Sequence, residues 1–177
     1  MTMTYFADLS NYVYGPLSGT NALTRNVSWL IPSVAFSTST GDVDEEFMTC
    51  LWQFCTVSIV QTRGLHECGF CRTRAANVAE RRGQQLLLGS AEIRVFSKAG
   101  DVYAAPNLIY HYVDVHHYLP PAEFIEAVQK GPRPPDQVYF EKLSEIGERW
   151  SPTLKPDGSA RRFRFVKTAE GVVRFEE

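Results

Sequence analysis

Neither sign of charge is in surplus in this chain: 18 basic side chains stand against 20 acidic ones, for a net charge of −2 and a pI near 6.1. A dedicated nucleic-acid-binding domain is normally strongly basic, so that class is not expected. No segment reaches the roughly 18 consecutive apolar residues that mark a membrane-spanning helix. Residues 1–14 contain Asp8 and lack a basic start followed by an apolar run, so no secretory signal is expected. Cysteine is sparse, at 4 of 177 residues, which is too few for a disulfide framework. The sequence also has no His-Glu-x-x-His, no Gly-x-Ser-x-Gly, no P-loop and no Gly-x-Gly-x-x-Gly, and with them go the commonest hydrolase and nucleotide-binding signatures.

What remains is an ordinary globular composition, 44% hydrophobic and 21% charged, in a chain long enough to bury a core without staples. The expected location is the cytoplasm. In that reducing compartment closely spaced cysteines are metal ligands or redox groups sooner than disulfides. Charge alternates along the chain, with acidic surpluses in residues 1–50 and 101–150 and basic ones in 51–100 and 151–177. The second block carries Arg63, Arg72, Arg74, Arg81, Arg82 and Arg94. The bland reading of that block is a solvated face paired with acidic neighbours. Phosphate binding through Arg72, Arg74, Arg81 and Arg82 is the sharper and less favoured one.

The pattern predicts an α+β fold, a small mixed or antiparallel sheet with about four helices. Residues 5–30 mix aromatics with Gly15, Pro16 and Gly19, which suits short strands and loops, with a strand at Val27–Ile31 stopped by Pro32. Residues 37–41 read as a loop. Asp42, with Glu45 three residues on, has the spacing of a capping box. Val43, Phe47, Cys50, Leu51, Phe54 and Cys55 then fall on one helical face, and Cys50 and Cys55 read as small buried hydrophobes. Arg81-Arg82-Gly83 looks like an exposed tip. Ala91–Phe96 and Val102–Ala104, joined through Lys98-Ala99-Gly100-Asp101, read as a β-hairpin. Pro106 is placed to open a helix over residues 107–117, and Pro120-Pro121 ends it. Pro121 starts another, with Phe124, Ile125 and Val128 as its stripe and Gly131 past its end. A helix over 136–150 is expected from Tyr139, Leu143, Ile146 and Trp150. Residues 151–158 read as a linker and 161–176 as a terminal hairpin. The expected division is a single α+β core domain over 1–131, carrying a zinc site, and a helical and β-hairpin extension over 132–177.

The sharpest local signal is Cys68-Gly69-Phe70-Cys71. Two cysteines with two residues between them turn both sulfurs toward one point, and Gly69 supplies a residue tolerant of positive φ for the tight turn. The backbone amides of such a turn donate to the sulfurs and favour the thiolate that binds metal. A redox pair would prefer a strand-to-helix context, which is missing here. All four histidines of the chain fall in two segments, His66 beside the cysteines and His111, His116 and His117 together. His111 and His116 have a spacing found in Cys₂His₂ zinc sites. In a regular α-helix they point about 140° apart, so loosening of the last turn before Pro120 is needed to bring them together. The site expected is therefore Cys68 and Cys71 with His111 and either His116 or His117, whose spacing from His111 also falls in that range, and with His66 as the alternative fourth ligand. With 39 residues between Cys71 and His111, the zinc would tie a loop to a helix across the fold. A catalytic zinc would need an open position and a base, for which Glu67 and Asp114 are the nearest residues in sequence. The His-x-Glu and Pro-Cys-x-x-Cys pattern of zinc deaminases is not met.

Several stretches resemble an uncharacterised family of bacterial proteins, of a kind found in actinobacteria. The resemblance rests on Tyr5-Phe6-Ala7-Asp8-Leu9-Ser10, Asn26-Val27-Ser28-Trp29-Leu30, Leu51-Trp52-Gln53-Phe54-Cys55, residues 63–71, Ala91–Val95, Tyr103-Ala104-Ala105-Pro106 and the segment from Ile109 to Pro121. It covers roughly residues 5–130, implies weight on His116 over His117, and supplies no reaction. The function expected is a zinc-stabilised α+β module that binds a protein partner, in a setting such as immunity or defence. The alternative is a metal-dependent enzyme, a hydrolase or a modifier of small molecules.

Overall fold

The computed structural model describes residues 4–13, 24–32, 40–62, 64–71, 77–153, 163–168 and 171–176, the last two ranges by their backbone alone. The loop expected at 37–41 falls mostly outside these residues. So do Gly15, Pro16 and Gly19, Arg63, Arg72 and Arg74, and most of the linker expected at 151–158.

Nine strands and four helices are described: β1 (Thr24–Asn26), α1 (Glu45–Cys55), β2 (Val57–Ile59), β3 (Val78–Arg81), β4 (Gln84–Leu87), β5 (Glu92–Phe96), β6 (Val102–Pro106), α2 (Ile109–His116), α3 (Ala122–Lys130), α4 (Gln137–Glu145), β7 (Trp150–Pro152), β8 (Phe163–Thr168) and β9 (Gly171–Glu176). Five strands form one mixed sheet in the order β1-β6-β5-β2-β7, in which β1 and β6 run parallel and the other pairs antiparallel. This is the α+β class expected. β3–β4 and β8–β9 are separate two-stranded hairpins. Among the described residues no helix is long and apolar enough to cross a membrane.

The hairpin β5–β6 forms as its pattern dictates. Ser97 organises the turn, its hydroxyl donating to Asp101 at 2.9 Å and its carbonyl accepting the Gly100 amide at 3.2 Å. At the tip of β3–β4, Arg82 and Gly83 both have positive φ, 49° and 76°, the two-residue turn whose twist matches paired strands. Helix α1 starts two residues later than expected. Asp44, not Asp42, caps it, accepting the Phe47 amide at 2.7 Å, and no capping box forms. Asp42 is drawn off to His117, 3.2 Å from its Nδ1. Phe47, Leu51, Phe54 and Cys55 are wholly buried along the inner face of α1, and Cys50 is nearly so.

Four other expectations are corrected. The strand at Val27–Ile31 is displaced to Thr24–Asn26, because Ser28 takes φ 64° and turns the chain before Trp29 bridges to Phe6. Pro106 does not open a helix. It is the last residue of β6, opposite Glu92, and α2 begins after Leu108. The helix expected over 136–150 stops at Glu145, because Gly147 at φ 76° closes it and the Glu148 amide reaches back to the Leu143 carbonyl at 2.9 Å. Trp150 thus belongs to β7, which pairs with β2.

Helix α1 packs against both α2 and α3, and α1 and α3 meet β5. Ile93 and Val95 of β5 join that core, whereas Glu92 and Arg94 turn toward Tyr12 and Glu148. Tyr12, Trp29 and Ala104 make a second, smaller apolar cluster flanked by Phe6 and Ile146. The sheet is therefore clad by helices on one side and by the N-terminal segment and the α4–β7 turn on the other.

Candidate metal centre

The loop between β2 and β3 carries the cysteines, and hydrogen bonds along its length set its course. The Thr62 amide donates to Ser90 O at 2.7 Å, and the His66 amide to Gly89 O at 2.7 Å. The Asn77 side-chain amide donates to His66 O at 2.7 Å and to Leu88 O at 2.9 Å. Gly89 sits at φ 94° with the His66 carbonyl against its α-carbon, a place where only glycine fits without strain. The same residue donates its amide to Asn107 Oδ1 at 2.6 Å, just ahead of α2. One short stretch, residues 89–91, thus clasps the cysteine loop on one side and the start of the histidine helix on the other.

Within the loop, the amides of Phe70 and Cys71 donate to the Cys68 sulfur, as the turn spacing implies. Gly69 is needed for a different reason from the one expected. It has no positive φ, but a Cβ there would stand 2.7 Å and 2.8 Å from the Pro32 ring carbons.

Helix α2 supplies the histidines. Its last turn is widened: the His117 amide bonds to the Tyr112 carbonyl, a five-residue step in place of the regular four. Widening swings residues five apart toward a common side, so the splay of His111 and His116 is relieved. His117 then takes the left-handed cap position at φ 52° and points to solvent, its side chain 67% exposed.

The result is a compact group. Cys68 Sγ lies 3.3 Å from His116 Nε2, and Cys71 Sγ lies 3.2 Å from His111 Nε2 and 3.3 Å from His116 Nε2. All four ligand atoms fall within 4.8 Å of one another, and this is the one such group of metal-binding side chains among the described residues. A tetrahedral zinc with bonds of about 2.3 Å to sulfur and about 2.0 Å to nitrogen has sulfur–nitrogen edges of about 3.5 Å. The donors are thus already near the spacing such an ion would impose.

Burial sets their protonation. It lowers the pKa of His111, with His116 adding to the effect, and lowers that of His116, with His117 adding. The shift favours the neutral imidazole, the form that ligates. Burial pushes the Cys68 thiol up, opposed by the Phe70 and Cys71 amides. A cation at the centre would displace that proton.

Of the other residues singled out in the sequence, His66 does not join the group; its backbone is engaged and its buried Nδ1 has no hydrogen-bond partner. Glu67 and Asp114 are exposed and also stand outside it. Aromatic rings roof the centre. Phe70 packs edge-on against Tyr112 at 5.9 Å and tilted against His116 at 5.4 Å. No motif pointed to Tyr112, whose only signal was its place between the two histidines.

The basic block divides. Arg81 is fixed to Glu45, to Thr49 Oγ1 at 2.8 Å and to the Tyr110 hydroxyl at 3.4 Å, so it clips β3 to α1 and α2. Arg94 is not on a basic face but wholly buried between two carboxylates, 2.6 Å from Glu92 Oε2 and 2.7 Å from Glu148 Oε1. Tyr12 completes this network, donating to Glu92 Oε2 at 2.9 Å and accepting from Arg94 at 3.2 Å. The alternation of Glu92 and Arg94 on β5 reads as a solvent face in sequence, and only the tertiary fold shows both charges inside.

No curated protein and no solved structure matches the chain. The chain belongs to the family described as domain of unknown function DUF7919, whose model matches residues 4–129 and so spans both ligand-bearing segments.

Proposed function

We propose that this member of a family of unknown function is a zinc protein, with Cys68, Cys71, His111 and His116 as the ligands and the metal in a structural role. The observation that carries the reading is the convergence of two sulfurs and two imidazole nitrogens from a loop and a helix that are far apart in sequence. Two soft sulfurs with two imidazoles in a tetrahedral arrangement suit zinc over magnesium or calcium, which prefer oxygen. Four protein ligands fill a tetrahedral ion and leave no position for a reacting water. Glu67 and Asp114 are then surface carboxylates and not bases. We assign the protein to partner binding in the cytoplasm, where thiols stay reduced and available to metal. An immunity or defence setting fits a small module of this kind.

Elemental analysis of the purified, reduced protein tests the metal, with one zinc per chain expected and none in Cys68→Ser or Cys71→Ser. A wild-type protein without stoichiometric metal would overturn the reading. Cobalt substitution tests the role. The visible spectrum of the cobalt form is expected to be tetrahedral and indifferent to added azide, whereas a change with azide would reveal an open, catalytic position.

A further inference from the structure

A cleft of about 220 Å³ lies between the turn of the β5–β6 hairpin and helix α3, and no residue of the metal centre borders it. Ser97, Lys98 and Asp101 line it from the turn, Tyr103 from β6, and Glu123, Glu126 and Lys130 from α3. Pockets that enclose a small molecule run to about 300–1,000 Å³. This cleft is smaller and has room for one side chain.

Its charges are unevenly matched. Glu126 and Lys130 bond to each other at 3.0 Å, which leaves the carboxylates of Asp101 and Glu123 against the ammonium of Lys98. Asp101 is held by the turn: its carboxylate accepts the Ser97 hydroxyl at 2.9 Å, and its amide donates to the same hydroxyl at 3.0 Å. Among the described residues the carboxylates of the cleft do not gather as the cysteines and histidines do, so the cation that suits them is larger than a metal ion.

Tyr103 points the same way. It lines the cleft although it is only 3% exposed, and its ring is fixed edge-on to Phe124 at 5.8 Å. Among the described residues no hydrogen bond reaches its hydroxyl. A phenol so deep in a fold normally has a partner. Burial, and after it the charges of Glu123 and Asp101, raise the pKa of this phenol, so the hydroxyl keeps its proton beside the carboxylates of the cleft.

We propose that the cleft binds the guanidinium group of an arginine side chain presented by a protein partner, with Glu123 and Asp101 accepting from its nitrogens and the Tyr103 hydroxyl as a further acceptor. The proposal rests on the partner-binding reading above and is independent of the metal. A guanidinium carries five N–H donors in a planar fork, enough to serve two carboxylates and a phenol oxygen together, whereas an ammonium is a compact point charge with three. Arginine is also enriched in protein interfaces, where the partner's own surface covers the rim of an open cleft.

Two-dimensional amide NMR of the purified protein tests this, with a capped Gly-Arg-Gly peptide, its Gly-Lys-Gly counterpart and free arginine as probes. The arginine peptide is expected to shift the amides of residues 97–103 and 123–130 in a saturable way, and the lysine peptide to bind more weakly. Glu123 is exposed, and Tyr103→Phe keeps the ring against Phe124, so both variants are expected to fold and to show wild-type spectra elsewhere. Glu123→Gln is expected to weaken the arginine peptide by about tenfold, and Tyr103→Phe by less. No saturable shift at these residues, or unchanged binding in both variants, would overturn the inference and leave partner binding through another face intact. Free arginine held more tightly than the capped peptide would mark a small-molecule site and overturn the partner-binding reading as well.

Discussion

Two polar clusters are packed into this fold, and they solve the same problem in opposite ways. Around Arg94 the chain supplies its own cation: one guanidinium, wholly buried, is shared by Glu92, Glu148 and the Tyr12 hydroxyl. Around Cys68, Cys71, His111 and His116 the chain supplies only donors of electron pairs, and the nearest charged groups on α2 lie outside the group. The first cluster holds its cation as folded, with Glu92 Oε1 the only buried charged atom in it left without a hydrogen-bond partner. The second is drawn together by backbone clasps and a widened helix turn into a group that could hold a metal ion. Buried charge is stable only when paired; one region carries its partner in the sequence, while the other, on the zinc reading proposed above, would take it from outside.

That contrast can be broken most forcefully at the metal. Stripping zinc with a chelator is expected to cost about 4 kcal/mol where free zinc had stood 1,000-fold above its dissociation constant. For a chain of this size the midpoint of thermal unfolding would fall by roughly 8–16 °C. Differential scanning calorimetry with and without chelator measures it, and the sheet region should still fold, since its core does not depend on the ion. Next in size is Arg94→Met, which leaves Glu92 and Glu148 buried without their cation and is expected to cost about 3 kcal/mol or more in urea unfolding. Its zinc content should be unchanged.

The two clusters also have opposite pH signatures. His111 and His116 are held below their ordinary value by burial. The unfolded chain then binds protons that the folded chain does not. Stability from this source is whole above about pH 6.5 and is lost as pH falls below it. Glu92 is pushed above its ordinary value by burial. Its protonated form favours the fold, so that contribution is present at low pH and lost as pH rises. Acidification is therefore expected to weaken metal-free wild type below about pH 6.5 and to shrink the penalty of Arg94→Met. Urea titrations across pH 4–8 would show both trends, and parallel trends in the two proteins would remove the contrast.

The smallest expected effects come from two glycines that serve one cluster each. Gly89→Ala strains a positive-φ residue pressed against the His66 carbonyl and is expected to cost about 1–3 kcal/mol, with weaker zinc binding. Gly147→Ala strains the turn that delivers Glu148 to Arg94 and is expected to cost about 1–2 kcal/mol, with zinc binding unchanged.

Sequence exposes these two regions unequally. Metal ligands are drawn from few residue types at characteristic spacings, so Cys68, Cys71, His111 and His116 stand out before any fold is known. The hairpin β5–β6, the face of α1 and the start of α3 were legible from periodicity and from Gly and Pro placement. The Arg94 network was not. Glu92 and Arg94 alternate with Ile93 and Val95 just as a half-exposed strand would, and their partners Tyr12 and Glu148 are remote in sequence. Gly147, inside an otherwise helical pattern, was the overlooked sign that α4 ends early and turns Glu148 inward. The widened end of α2 has no local signal beyond the His111–His116 spacing itself.

The cysteine–histidine group is expected to need an external cation, and the arginine group is not. Native mass spectrometry of three reduced proteins, wild type, Cys68→Ser and Arg94→Met, reads that directly. One zinc per chain in wild type and Arg94→Met, and none in Cys68→Ser, is the predicted result. Zinc absent from wild type, or retained in full by Cys68→Ser, would contradict it.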